Sequence, residues 1–172
     1  GALAKHQLES CVAKDLIVTV FQWDLAQALS NIARRLNKTV KVHVKVDTGM
    51  SRLGIKPEDA VAFIRGLQGL PNIEVQGIFT HFATADNLSD PYATWQWQRF
   101  SWLLLELKKE KIDIPIKHCA NTASTLLMPE THLDLVRVGL GIYGMYPCQH
   151  EINLKPAFSL YSEIVAIKRV PP

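Results

Sequence analysis

The chain has 172 residues, of which 48% are hydrophobic and 20% charged, enough for one packed core and too apolar for a disordered tail. Its net charge of +3 comes from 19 basic and 16 acidic residues scattered along the sequence, without the basic runs of a nucleic-acid or membrane-surface binder, so neither partner is expected. Cys11, Cys119 and Cys148 make neither a disulfide framework nor a metal-spaced pair, no apolar run reaches membrane-spanning length, and the start Gly-Ala-Leu-Ala-Lys-His has no signal-peptide core. A reducing, cytoplasmic setting is the expectation.

Residues 16–21 read as the first buried strand, short and rich in β-branched side chains. A helix over 23–36, opened by Asp24, leads to a second strand at 40–46. Pro57 opens a helix over 57–67, and the third strand follows at 73–79. Trp95, Phe100, Trp102, Leu103 and Leu107 mark the apolar surface of a helix over 95–107, and further strands are expected at 114–116 and 133–138. Alternation of strand and helix implies βα units around a parallel sheet, either doubly wound or part of a (β/α)8 barrel; periodicity does not separate the two. A proline-bounded shift at 147–156 marks a candidate boundary, placing one domain at 1–150. Residues 157–170 then read as one long strand, so 151–172 is taken as a linker and the first strand of a second domain.

Polar residues and glycines gather where these strands end, the face on which parallel α/β proteins bind ligands. Lys45-Val46-Asp47-Thr48-Gly49-Met50-Ser51-Arg52-Leu53-Gly54 carries a lysine inside a strand that otherwise reads as buried, which is costly unless the charge is paired. It reads either as an exposed Lys45–Asp47 pair at a turn or as part of a site with Arg52. Its Asp-Thr-Gly triplet invites comparison with aspartic proteases, but those are almost wholly β and the neighbours here are basic. Gly77-Ile78-Phe79-Thr80-His81-Phe82-Ala83-Thr84-Ala85-Asp86 puts a histidine at the next strand end, where a structural role competes with a catalytic one. His118-Cys119-Ala120-Asn121-Thr122-Ala123-Ser124 offers Asn121 or Thr122 as a helix cap, with backbone N–H groups open to an anion; a cap without a ligand is the competing reading. His118 and Cys119 lack partners at zinc-ligand spacing, so no metal is expected. Asp134-Leu135-Val136-Arg137-Val138-Gly139-Leu140-Gly141-Ile142-Tyr143-Gly144 joins an arginine to glycines that let backbone amides approach a phosphate. No dinucleotide fingerprint or Walker loop occurs.

In this order the four segments resemble the alanine racemase family of pyridoxal-phosphate enzymes, whose strand ends carry motifs like Lys-x-Asp-Thr-Gly-Met-x-Arg-x-Gly, Thr-His-Phe-Ala-x-Ala-Asp, His-x-x-Asn-Ser/Thr-Ala and Val-Arg-x-Gly-x-x-x-Tyr-Gly. The resemblance runs from about Leu16 to Val170. It implies a TIM-like (β/α)8 barrel, present here in part over 1–150, with the start of a C-terminal β domain in 151–172. The implied activity is interconversion of L- and D-alanine for peptidoglycan, with pyridoxal 5'-phosphate as cofactor, in a homodimeric parent enzyme. Arg137 would sit against the cofactor's pyridine nitrogen. Thr122, Gly139 and Leu140 would contact its phosphate. Arg52 would lie near its phenolic oxygen and pair with Lys45, which members of this family often carry carbamylated. His81 would lie beside Arg137, and His118 and Asn121 would shape the floor. The family's Schiff-base lysine, in a motif like Ala-Tyr-Gly-His-Gly, and its opposing tyrosine base find no counterpart in these residues, so the chain is expected to be part of a larger enzyme and inactive alone. A broader racemase accepting serine and a non-catalytic cofactor-binding module are the alternatives.

Overall fold

The computed structural model describes residues 2–87, 89–149 and 152–171. Four parallel strands form the sheet: β1 (Val18–Val20), β2 (Val40–Lys45), β3 (Ile73–Phe79) and β4 (Ile116–His118), hydrogen-bonded in the order β1-β2-β3-β4. Helices α1 (Leu8–Ala13), α2 (Trp23–Arg35), α3 (Pro57–Gln68), α4 (Tyr92–Lys109) and α5 (Thr122–Leu127) flank or connect them. A doubly wound sheet reverses its strand order; here each strand is added on the same side of the last. With right-handed crossovers, that order puts the connecting helices on one face, the geometry of a barrel wall.

The strand side chains divide accordingly. Val18, Val20, Val42, Val44 and Ile78 are fully buried on the helix side, packed with Leu25, Ala26, Leu29 and Ala33 of α2 and Ala60, Ile64 and Leu67 of α3. The register sets Thr19 beside His43, His43 beside Gly77, Lys45 beside Phe79, and Phe79 beside His118 on the opposite, inward face. An extra residue in β3 makes this possible. Val42 pairs with Val75 but His43 with Gly77, leaving Gln76 as a bulge between them.

Several expectations need correction. The α4 stripe is Ala93, Gln96, Phe100, Leu103 and Leu107, at the i, i+3, i+4 spacing of one helical face, while Trp95 and Trp102 are 42% and 44% exposed. Helix α2 begins after Gln22, with Asp24 in its first turn rather than as its cap. The fourth strand lies at Ile116–His118 rather than 114–116. Residues 133–138 form no strand. Asp134 N–H donates to Lys117 O and Arg137 N–H to Ala120 O, but the Lys117 N–H is taken by the Asp134 carboxylate instead of a backbone carbonyl, so no ladder closes. Residues 157–170 are likewise not a strand. They are exposed along their length, with one backbone bond from Ala157 N–H to Tyr143 O, because no neighbouring strand is there to take their N–H and C=O groups. The boundary expected between residues 150 and 151 lies outside the described residues.

Candidate active site

Lys45 is the last residue of β2, only 8% exposed, with its Nζ 4.8 Å from the centre of the Phe79 ring. The exposed Lys45–Asp47 pair is not what forms. Asp47 instead turns into the following loop, where Oδ1 accepts the N–H groups of Gly49 and Ser51, each at 3.0 Å. That loop returns to the sheet through Asp47 N–H to Ile55 O and Ile55 N–H to Lys45 O. Gly54 makes the return possible: its φ is +134°, and a Cβ there would lie 2.6 Å from Asp47 N. Arg52, on the loop, is exposed.

Buried Thr48 and Thr80 join the ends of β2 and β3, their hydroxyls 2.7 Å apart. Gln96 of α4, with no exposed surface, completes this joint. Its Nε2 donates to His81 O at 3.1 Å and to Thr48 Oγ1 at 3.3 Å, and its Oε1 accepts Ala83 N–H at 2.8 Å.

Arg137 lies at the centre. Nη1 donates to His118 Nδ1 at 2.6 Å; Nη2 donates to Thr80 O at 2.8 Å and Cys119 O at 3.2 Å, and stands 3.4 Å from His81 Nδ1. Its guanidinium lies 5.2 Å from the Phe79 ring, which stacks on His118 at 4.7 Å between centres and 5° between planes. Asn121 caps α5, accepting Ser124 N–H and donating its own N–H to Ser124 Oγ. The next residue, Thr122, accepts N–H groups from Gly139 at 3.0 Å and Gly141 at 3.3 Å. Both hydroxyl lone pairs are thereby engaged and its proton is left to donate outward. Leu140 opens a short 3-10 turn, Leu140–Tyr143, where its N–H has no intrahelical acceptor.

A cavity of about 390 Å3 collects His81, Asn121, Thr122, Arg137, Gly139 and Leu140 with Met50 and Asp86. Lys45, Arg52 and His118 do not line it; His118 lies behind Arg137. A larger hollow of about 660 Å3 between α4 and the β3–β4 edge, lined by Leu104, Leu107, Ile112 and Ile114, holds none of the expected site residues. Its apolar lining is a packing surface, whereas the smaller cavity has the convergent polar groups of a ligand site.

The electrostatics are those of a cationic site. Burial, then the Arg137 and Arg52 charges, lower the Lys45 pKa; Asp47 opposes them and is the smallest of the four effects. His81 is lowered to about 4 by burial and then by Arg137, Lys45 and Arg52. His118 is lowered to about 3 by burial, then Arg137, His43 and Lys45. Burial raises the Cys119 thiol to about 12, which leaves it inert as a nucleophile at neutral pH. No ion pair among the described residues involves Lys45, Arg52 or Arg137. Three neighbouring cations without an ion-pair partner among the described residues, one of them on the cavity wall, suit an anionic ligand.

Sequence reasoning missed Gln96 and His43, and gave no role to Thr48 and Phe79, which lie inside its motifs. A glutamine on the apolar stripe of α4 was the available signal for the first, and the i, i+2 spacing of His43 and Lys45 for the second.

Parallel strands laid down in chain order, with a cavity of convergent polar groups at their C-terminal ends, define the wall of an α/β barrel. The family described as alanine racemase, N-terminal domain, matches residues 1–147, and the chain belongs to it. An alanine racemase of Methanococcus maripaludis is 44% identical over 99% of this chain and 47% of its own length; one from Desulfovibrio desulfuricans is 43% identical over 94% and 44%. Among solved structures, alanine racemase of Clostridium difficile in complex with cycloserine superposes with a TM-score of 0.87 at 34% identity, covering 91% of this chain and 44% of that one. The Bacillus anthracis enzyme with bound L-Ala-P gives 0.81 at 31% identity, over 91% and 42%. The chain thus spans a little under half the length of the relatives it matches.

Proposed function

We propose that this chain supplies the cofactor-binding barrel wall of an alanine racemase, a homodimeric, cytoplasmic enzyme that interconverts L- and D-alanine with pyridoxal 5'-phosphate. The observation that carries the reading is the placement of Arg137, half-buried at the cavity wall, bonded to His118, Thr80 and Cys119 beside His81, and in no ion pair among the described residues. Bound pyridoxal phosphate would withdraw electrons from the substrate α-carbon and so acidify its C–H bond. The donor set fits such a group. Arg137, which can only donate, would leave a pyridine nitrogen held against it unprotonated, so that less charge would be drawn into the ring and transamination would be disfavoured. Thr122 Oγ1 offers its proton to a phosphate oxygen, Leu140 adds a backbone N–H, and Asn121 and His81 bound the same cavity. Gly139, whose N–H is engaged by Thr122, holds that hydroxyl in place.

Lys45 fits carbamylation. A buried lysine with a lowered pKa presents its neutral amine more readily, and that amine adds carbon dioxide with loss of a proton to give a carbamate. The resulting anion would pair with Arg52. The two groups that move the substrate proton are assigned to other parts of the longer enzyme. Domain organisation follows the same reading, with residues 1–150 as barrel and 151–172 as the passage toward a β domain.

The test is D-alanine formation from L-alanine by the full-length protein, with cofactor uptake followed by absorbance. Arg137→Ala is expected to weaken cofactor binding by about ten- to a hundredfold, the value of a hydrogen bond to a charged group. A full-length protein that takes up no pyridoxal phosphate and forms no D-alanine would sink the assignment, and faster turnover of L-serine would move it to a broader racemase.

A further inference from the structure

His43 lies on β2 and His118 on β4, with β3 between them, yet His43 Nδ1 stands 2.9 Å from His118 Nε2. The contact crosses β3 at Gly77. A Cβ on Gly77 would fall 2.6 to 2.7 Å from three atoms of the His43 ring, so the absence of a side chain there lets the ring lie across the middle strand.

The protons along this row follow from its one fixed donor. Arg137 Nη1 donates to His118 Nδ1, so that nitrogen is unprotonated and a neutral His118 carries its proton on Nε2. That proton points at His43 Nδ1, which must accept it, and the His43 proton is then on Nε2. His43 Nε2 and the Gln76 Oε1 of the β3 bulge are both buried and meet no partner in hydrogen-bond geometry, although Gln76 is close enough to raise the proton affinity of His43 against the desolvation that lowers it. A donor and an acceptor thus end the row side by side.

We propose that His43 is a positioning residue: seated across Gly77, it accepts the His118 Nε2 proton and holds the His118 ring as the acceptor that fixes Arg137. Its consequence for cofactor binding rests on the function proposed above; the proton arrangement does not.

The experiment uses full-length protein labelled with 15N histidine. Both rings are expected neutral with the proton on Nε2 at pH 7. His43→Asn, which keeps an acceptor near the Nδ1 position, should leave the His118 resonances and the affinity for pyridoxal phosphate near wild type. His43→Leu should shift the His118 resonances and weaken cofactor binding about tenfold. A charged ring, a proton on Nδ1 of either histidine, or His118 resonances unmoved by His43→Leu would overturn the proposal. Gly77→Ala supplies a second readout. It should lower the melting temperature by about 3 °C or more in the wild type and have little effect in a His43→Ala background; equal loss in both would show that the glycine does not seat this ring. If the resonances behave as expected while the protein binds no pyridoxal phosphate, the functional reading fails and the histidine row stands.

Discussion

Half-buried Arg137 and buried Lys45 bring two charges to one strand-end face, and the histidines around them adjust by staying neutral. An ordinary imidazole titrates near 6.5, whereas folded His81 and His118 titrate at about 4 and about 3. Below pH 6.5 the unfolded chain therefore binds protons that the folded chain refuses. Their contribution to stability is complete above that value and is lost as the pH falls, through about 4 for His81 and about 3 for His118. Urea midpoints measured from pH 7.5 to pH 4.5 are expected to drop over that window, and the drop should be shallower in His81→Gln; an equal slope in both would contradict it. Gly54 is the sharpest steric constraint on the Lys45 loop. Gly54→Ala combines a positive φ with a Cβ 2.6 Å from a backbone nitrogen, and is expected to cost about 2 kcal/mol or more in denaturant unfolding.

At the level of elements, α4 does more than cover β3. Gln96 ties three loop groups to the helix, so Gln96→Leu, close in volume, leaves His81 O, Ala83 N–H and Thr48 Oγ1 without that partner. A loss of about 2 kcal/mol is expected, with faster amide exchange at Ala83 and His81 than in the distant helix α2. Strands β2 and β3 and helix α3 were legible in the sequence, because their apolar spacing is regular and their ends are marked by Pro57 and the polar strand-end motifs. Residues 133–138 misled because β-branched composition reports burial preference, while a strand also needs backbone partners in both directions, and the Asp134 side chain removes one of them. The tryptophans of α4 misled for a related reason. Bulk suggested Trp95 and Trp102 as the buried face, but Gln96 occupies it, at a position that only the three-and-four spacing reveals. Arg137, Thr122 and His81 could be named from motifs, whereas their mutual distances depend on strand register, which no single segment encodes.

For the whole molecule, a sheet ordered β1-β2-β3-β4 has two unpaired edges. Residues 157–170 add apolar side chains to the surface, with Tyr161, Val165 and Ile167 each more than four-fifths exposed. Expressed by itself, the 172-residue chain is expected to self-associate at micromolar concentration in sedimentation velocity, and Val165→Lys with Ile167→Lys should reduce the association. A monodisperse monomer throughout would show that edges and apolar tail are harmless at this size.

The bulge at Gln76 sets the parity of β3. Upstream of it, Ile73 and Val75 share a face with Val40 and Val42; downstream, Ile78 keeps that face while Gly77 and Phe79 point the other way. Were Gln76 to pair with His43 in an unbulged ladder, the two sets would exchange, sending Phe79 among the helices and Ile78 into the ligand face. The bulge therefore acts on this strand as a frameshift acts on a reading frame: one unpaired residue decides on which side of the wall every residue beyond it falls.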